Sequence, residues 1–152
     1  MATWETTTTV MGGPEDVLEV LTDPCAAQRW SPIGFELEQI EGDRLRSGTQ
    51  AVLTGKLAGR SVKFEVNVLK AGDGQLELHA KGPVEMDVRY DAEAFGEMTE
   101  VKASVAVRSS GGLMGRLISS ATDALLAGGA LNLAVQSVAR EVEQSVTFAA
   151  AA

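Results

Sequence analysis

The sequence predicts an α+β fold, in which an antiparallel sheet of about seven strands is covered on one face by a long C-terminal helix. After Pro32, short segments alternate between apolar and polar residues and are separated by glycine-containing turns. From Leu113 to about Val146, apolar residues instead recur at three- and four-residue steps, which is typical of a helix. The chain has 152 residues, a length that fits one domain. We expect this domain over residues 1–148 and a short tail over residues 149–152.

The N-terminal part predicts a first strand followed by two short helices. The segment "TWETTTTVM" is rich in β-branched residues and therefore favours a strand. Pro14 suits the first position of a helix. Asp23 is expected to cap a second helix that begins at Pro24 and ends near Trp30, where Pro32 stops it.

The middle of the chain predicts six further strands of similar length. In "RSVKFEVNVLK", for example, the alternation puts Val62, Phe64, Val66 and Val68 on one face. Turns at such short spacing favour antiparallel hairpins. Because each strand has one apolar and one polar face, we expect the sheet to be covered on one side only.

The C-terminal helical pattern is predicted to provide this cover. Its apolar stripe comprises Met114, Leu117, Ile118, Ala121 and Leu125, followed by Leu131, Ala134, Val135, Val138 and Val142. An unbroken helix of this length would extend roughly 50 Å. Gly128 and Gly129 interrupt the pattern, and glycine costs about 1 kcal/mol in a helix interior. The sequence leaves open whether the pair kinks the helix or divides it in two.

Composition argues against several classes of partner. The formal net charge of −8 disfavours nucleic acid and anionic membrane surfaces, both of which attract basic proteins. The sequence contains no apolar run long enough to span a bilayer and no signal-peptide pattern at its start. A single cysteine cannot form an internal disulfide and fits a reducing cytoplasm, which is the expected location.

The motifs for common cofactors and metals are missing from the sequence. One histidine and one cysteine cannot make a zinc cluster of the usual spacing, and neither a P-loop nor a dinucleotide fingerprint is present. We therefore expect no metal and no cofactor. His79 alternates with apolar residues in a strand-like segment, which predicts a surface side chain rather than a catalytic base. Cys25 has no catalytic pattern around it and is expected to serve packing or surface roles.

The element order and the segment "VMGGPEDVLEVLTDPCAAQRW" resemble the START-like, or SRPBCC, superfamily, which includes polyketide cyclase/dehydrase-like and lipid-transfer proteins. The matching features are an apolar strand end, an acidic helix start with Val17, then Asp23 and Trp30. The later segment "GLMGRLISSATDALL" is similar to the branch of this superfamily that is named after a subunit of carbon-monoxide dehydrogenase. The resemblance implies a helix-grip fold, in which a curved antiparallel sheet wraps around the long helix and leaves a cavity between them.

In such a fold Trp30, Pro32 and Phe35 would line or shield the mouth of the cavity, unless Trp30 simply fills a small core. The predicted lining is mainly apolar, and Tyr90 is its best polar candidate because a buried hydroxyl requires a partner. This lining consists of Trp30, Phe35, Leu37, Leu53, Phe64, Val66, Leu78, Met86, Tyr90, Val105, Leu117 and Leu125. Alanines at 103, 106, 121 and 124 are expected to leave room.

The function expected from this interior is binding or transport of a hydrophobic small molecule, such as a lipid or a polyketide-like compound. A polyketide cyclase or dehydratase is the alternative, but it would need an acid–base group inside the pocket. Arg60 and Lys70 are in register with the inward face but at strand ends, and Arg29 and Glu36 flank the expected mouth. The likeness to the carbon-monoxide dehydrogenase branch also allows an accessory or assembly factor. The sequence identifies no protein partner.

Overall fold

The structure, a computed structural model, describes residues 2–30, 35–57, 59–109 and 111–151, without the side chains of residues 2, 109, 114 and 145–151. The strands in this part of the chain are β1 (Ala2–Met11), β2 (Phe35–Ile40), β3 (Gln50–Leu57), β4 (Arg60–Gly72), β5 (Gln75–Lys81), β6 (Val84–Phe95) and β7 (Met98–Ser109). The helices are α1 (Pro14–Leu21), α2 (Pro24–Trp30), α3 (Gly112–Ala127) and α4 (Ala130–Ala151).

All seven strands belong to one antiparallel sheet with the order β1-β7-β6-β5-β4-β3-β2. Strands β2 to β7 follow one another as hairpins, as the turn spacing predicts. The first strand pairs with the last, so α1 and α2 carry the chain from the β1 edge of the sheet to the β2 edge. The helices cover one face of the sheet, which we call the inner face. The predicted α+β fold is therefore confirmed.

Two local features of β4 set the register of the neighbouring strand. In the turn to β5, Asp73 and Gly74 both have positive φ, 53° and 73°, as a tight hairpin turn requires. A bulge follows Val68, which still pairs with the inward-facing Leu78. Beyond the bulge Lys70 pairs with Glu77 on the outer face, so the expectation that Lys70 faces inward is wrong. The alternation failed there because a bulge inserts one extra residue into the strand.

The two short helices begin at Pro14 and Pro24, as the sequence predicts. The backbone N–H of Gly13 donates to Asp16 Oδ2 at 2.9 Å, at the start of α1. Asp23 Oδ1 accepts from the backbone N–H of Cys25 at 3.0 Å, which confirms Asp23 as the cap of α2. Helix α2 ends at Trp30 as expected. Pro32, the predicted stop signal, lies outside the described residues.

The C-terminal helical pattern forms two helices rather than one. They are bent by 59° at Gly128 and Gly129, and Gly129 has a φ of 94° that disfavours other residues. Helix α4 continues through Ala151, so most of the expected tail over residues 149–152 is helical. Among the described residues no single helix is long and apolar enough to cross a membrane, although the bent pair together passes that test by length and composition.

Helix α4 packs against β1, α1 and α2, whereas α3 packs mainly against β7. The side chains between α4, α1 and β1 form a close-packed core. Each of the following residues is 0% exposed: Val10, Val17, Leu21, Val135, Val138 and Val142. We call this region the filled half of the molecule.

A candidate ligand cavity

A cavity of about 150 Å³ lies on the inner face, between strands β2 to β7, helix α2 and the end of α3. Helix α2 closes it from one side, and α3 contributes the single residue Leu126. The described residues that line it are Pro24, Ala27, Trp30, Phe35, Leu37, Ile40, Leu45, Ala51, Leu53, Gly55, Phe64, Val66, Leu78, Ala80, Met86, Val88, Tyr90, Val105 and Leu126. We call this region the cavity half.

Most of the residues predicted from the sequence lie around this cavity. They are Trp30, Phe35, Leu37, Leu53, Phe64, Val66, Leu78, Met86, Tyr90 and Val105. Period-two alternation found them because each occupies the inner face of its strand, apart from Trp30 at the end of α2. That any of them binds a ligand remains a prediction.

The two residues predicted on the C-terminal helix do not line the cavity. Leu117 and Leu125 are 44% and 40% exposed, whereas their neighbours Ile118 and Leu126 are 0% and 6% exposed. Of the stripe expected on α3, Ile118 is thus buried, whereas Leu117 and Leu125 are not. The apolar residues of α3 are spread around more of its circumference than one stripe, so the period alone could not select the buried face.

Small residues do leave space, but not the ones that the sequence suggested. Ala106 lies on the outer face of β7 and Ala124 is exposed. The small side chains at the cavity are instead Ala27, Ala51 and Ala80. The same alternation that located Leu78 and Leu53 places Ala80 and Ala51 on the inner face. The sequence signal for these alanines was therefore present.

The cavity half differs from the filled half in how its inward side chains are buried. Leu53, Leu78, Met86 and Val88 all point to the inner face, yet each is only half-buried. These side chains border empty space rather than another packed element. The partial exposure of these four side chains thus marks a void, whereas the alternation of apolar and polar residues alone would predict packed core there.

Trp30 is a wall of the cavity and also part of the core, since it is only 6% exposed. Its indole N–H donates to the carbonyl oxygen of Val20 at 3.3 Å. Its ring meets Tyr90 edge to face, with 5.4 Å between centroids and 71° between planes. A chain of contacts from α1 thus fixes Trp30 and, through it, the ring of Tyr90.

Tyr90 is the single tyrosine of the sequence and is 1% exposed. Burial raises the pKa of its phenol well above the usual value, so the group stays protonated at neutral pH. Its hydroxyl has no hydrogen-bond partner among the residues that the structure describes.

None of the described cavity-lining residues is charged. Arg29, expected beside the mouth, instead binds Glu141 of α4 through two hydrogen bonds of 2.8 and 3.2 Å. This pair ties α2 to α4 and raises the pKa of the guanidinium. Glu36 and Arg60 are exposed. Among the residues that the structure describes, the charged side chains thus lie outside the cavity.

His79 belongs to a polar cluster on the outer face of the sheet, opposite the cavity. Its Nδ1 lies 2.8 Å from Asp87 Oδ1. Arg108 Nη2 approaches Asp87 Oδ2 at 2.9 Å and Glu85 Oε2 at 3.5 Å. The side chains of this cluster are partly exposed, which agrees with the surface position predicted for His79. Cys25 is a free, exposed cysteine, as expected.

A helix-covered antiparallel sheet with a cavity on its inner face defines a START-like helix-grip fold, as the resemblance implies. A START superfamily protein from Mycobacterium smegmatis has this fold, with a TM-score of 0.67 and 19% identity over 93% of this chain and 97% of that chain. The protein TTHA0849 from Thermus thermophilus matches with a TM-score of 0.69 and 13% identity over 95% and 99% of the two chains.

DynU16, a protein of the dynemicin biosynthetic locus, matches with a TM-score of 0.60 and 18% identity. The match covers 94% of this chain but only 48% of DynU16. No family model and no curated protein matches the sequence. At these identities the solved structures show the fold alone.

Proposed function

We propose that this protein binds, and transports, a hydrophobic small molecule in the cavity. The observation that carries the proposal is the cavity wall, which is apolar apart from Tyr90 and the internally bonded Trp30. Ligand sites are typically apolar clefts with a few placed polar groups. An apolar ligand gains roughly 25 cal/mol for each Å² removed from water.

The volume of the cavity limits what it holds. Drug-sized ligands occupy pockets of roughly 300–1,000 Å³, whereas this cavity measures about 150 Å³. An engineered cavity of roughly 150 Å³ in another protein binds benzene. The proposed ligand therefore places about one ring, or an equivalent length of chain, in the cavity. A lipid or polyketide-like ligand would place only one end there.

A carrier accounts for the cavity better than a cyclase or dehydratase does. Those reactions require a group that accepts or delivers a proton next to the substrate. Among the described lining residues, Tyr90 is the single titratable group, and its raised pKa keeps it protonated at neutral pH, so that it cannot serve as a base there. The DynU16 likeness concerns the fold and does not supply the missing base. Cytoplasmic location is part of the proposal, which the free thiol of Cys25 supports.

The proposal is tested by native mass spectrometry of the purified protein, followed by thermal unfolding with fatty acids, sterols, small aromatics and aromatic polyketides. Val88→Phe serves as the blocked variant because Val88 lines the cavity, and Val52→Phe is the matched control on the outer face. We expect a co-purified or added apolar ligand to raise the melting temperature of the parent and of Val52→Phe, and not of Val88→Phe.

Fluorescence of Trp30 gives a second readout, because Trp30 is in the cavity wall. Trp4 also lies on the inner face, opposite Val105, so the measurement is made in a Trp4→Phe background. A ligand in the cavity is expected to shift or quench the emission. If no ligand class changes the emission or the melting temperature, the binding function is wrong. Turnover of a polyketide analogue would instead establish the enzymatic alternative.

A further inference from the structure

The polar groups at the cavity are few enough to define the chemistry of a ligand. Of the described lining side chains, only Trp30 and Tyr90 carry a hydrogen-bonding N–H or O–H group. The indole N–H of Trp30 is already bonded to the Val20 carbonyl. The hydroxyl of Tyr90 has no such partner among the described residues. A ligand thus meets one available polar side chain.

We propose that the cavity selects neutral molecules that carry a hydrogen-bond acceptor, such as a carbonyl oxygen, and that the Tyr90 hydroxyl donates to it. This inference rests on the proposed ligand-binding function and adds the class of ligand and its specificity-determining residue. The edge-to-face contact with Trp30 holds the phenol ring in place. The hydrogen bond therefore forms without first ordering the donor.

The absence of charge from the described cavity wall excludes ionised ligands. A carboxylate that enters loses its hydration and meets no Lys, Arg or His side chain among the described lining residues. Burial of an unpaired ion is far more costly than burial of a neutral polar group. The net charge of −8 repels anions further. A fatty acid in its ionised form is thus disfavoured relative to a neutral ketone, ester or alcohol.

The test uses three six-membered-ring probes. Cyclohexanone and methylenecyclohexane have nearly equal shape and differ in the acceptor oxygen, and cyclohexanecarboxylate adds the ionised group. Dissociation constants are measured by NMR titration with the full chain and with Tyr90→Phe, which removes only the hydroxyl. Methylenecyclohexane is the more hydrophobic probe, so the informative quantity is the ratio of the cyclohexanone and methylenecyclohexane constants in each protein. Val88→Phe serves as the blocked control.

We expect the Tyr90→Phe change to weaken cyclohexanone binding relative to methylenecyclohexane by about 3- to 10-fold, the usual worth of one neutral hydrogen bond. Binding of methylenecyclohexane should stay within about 2-fold. Cyclohexanecarboxylate should bind neither protein. An unchanged ratio, or carboxylate binding as tight as that of the ketone, overturns the inference while hydrocarbon binding still supports the cavity as a ligand site. If no probe binds either protein, the inference and the proposed function both fail.

Discussion

The filled half and the cavity half use the same sheet and the same alternating sequence pattern, yet one is packed solid and the other is hollow. In the filled half, α4 presses valines such as Val138 against β1 and α1, and these side chains are 0% exposed. In the cavity half, inward residues such as Leu53 and Leu78 remain half-buried beside a void. The difference shows that the covering helix, not the strand pattern, decides whether an inner face becomes core or site.

The break at Gly128 and Gly129 has a direct part in this difference. It turns α4 by 59° relative to α3, so that α4 follows β1 while α3 lies over β7. The strands further along the sheet, from β6 toward β2, are covered by the short α2 and the end of α3. Neither element supplies enough side-chain volume to fill the space, because α2 contributes Pro24, Ala27 and Trp30 and α3 contributes Leu126.

The largest effect on stability is expected on α3, where Ile118 is buried and its neighbour Leu117 is exposed. Ile118→Asp places a charge where the side chain is 0% exposed and should lower the free energy of unfolding by more than about 3 kcal/mol. Leu117→Asp, at a residue that is 44% exposed, should change it by less than about 1 kcal/mol. Urea denaturation of both variants measures the contrast. Equal losses would mean that the buried face of α3 is assigned wrongly.

A matched truncation compares the two halves directly. Leu21→Ala in the filled half should cost roughly 2–5 kcal/mol, because it leaves a new void in packed surroundings. Leu78→Ala in the cavity half should cost clearly less, since Leu78 already borders empty space and makes fewer contacts. Chemical denaturation gives both values. Equal costs would indicate that the cavity half is packed as tightly as the filled half.

Alkaline titration sharpens the comparison at Tyr90. Burial holds its pKa above the 10.0 of an exposed tyrosine, so the folded chain keeps the proton more tightly than the unfolded chain does. The resulting stabilisation is fully present below about pH 10 and is lost as the pH rises toward the folded-state pKa. Tyr90 is the single tyrosine, so tyrosinate absorbance reports it alone. Ionisation near pH 10 in the native protein would show that water reaches the phenol freely.

The smallest effect on stability and ligand binding is expected for a change at His79, on the outer face of the sheet. His79→Ala removes a partly exposed hydrogen bond with Asp87 and should change stability by less than about 1 kcal/mol. Ligand binding should not change, because His79 faces away from the cavity. Thermal unfolding and the cyclohexanone titration measure the two quantities. A loss of binding would bring back the catalytic-base role that the strand pattern argues against.

Much of the fold could be predicted because strand alternation, glycine turns and helix caps are local signals. Asp23 at the start of α2 and the alternation that identifies Phe64 depend on neighbours in sequence. The errors at Lys70, Leu117 and Leu125 have long-range causes: the bulge after Val68 reverses a strand face, and packing on β7 selects the face of α3. The candidate site was predictable to the extent that it lies on strands. Its volume depends on how the helices cover the sheet. The interruption at Gly128 and Gly129 is visible in the sequence, but the angle between the two helices is not.

Xenon tests the central claim most directly, because it enters empty apolar cavities and requires no knowledge of the natural ligand. A crystal of the protein pressurised with xenon should show a bound atom beside Leu53, Leu78 and Val88, and none between α4, α1 and β1. The Val88→Phe variant should lose that atom. Side chains that fill the space in the parent, with no xenon bound there, would contradict the division into a filled half and a cavity half.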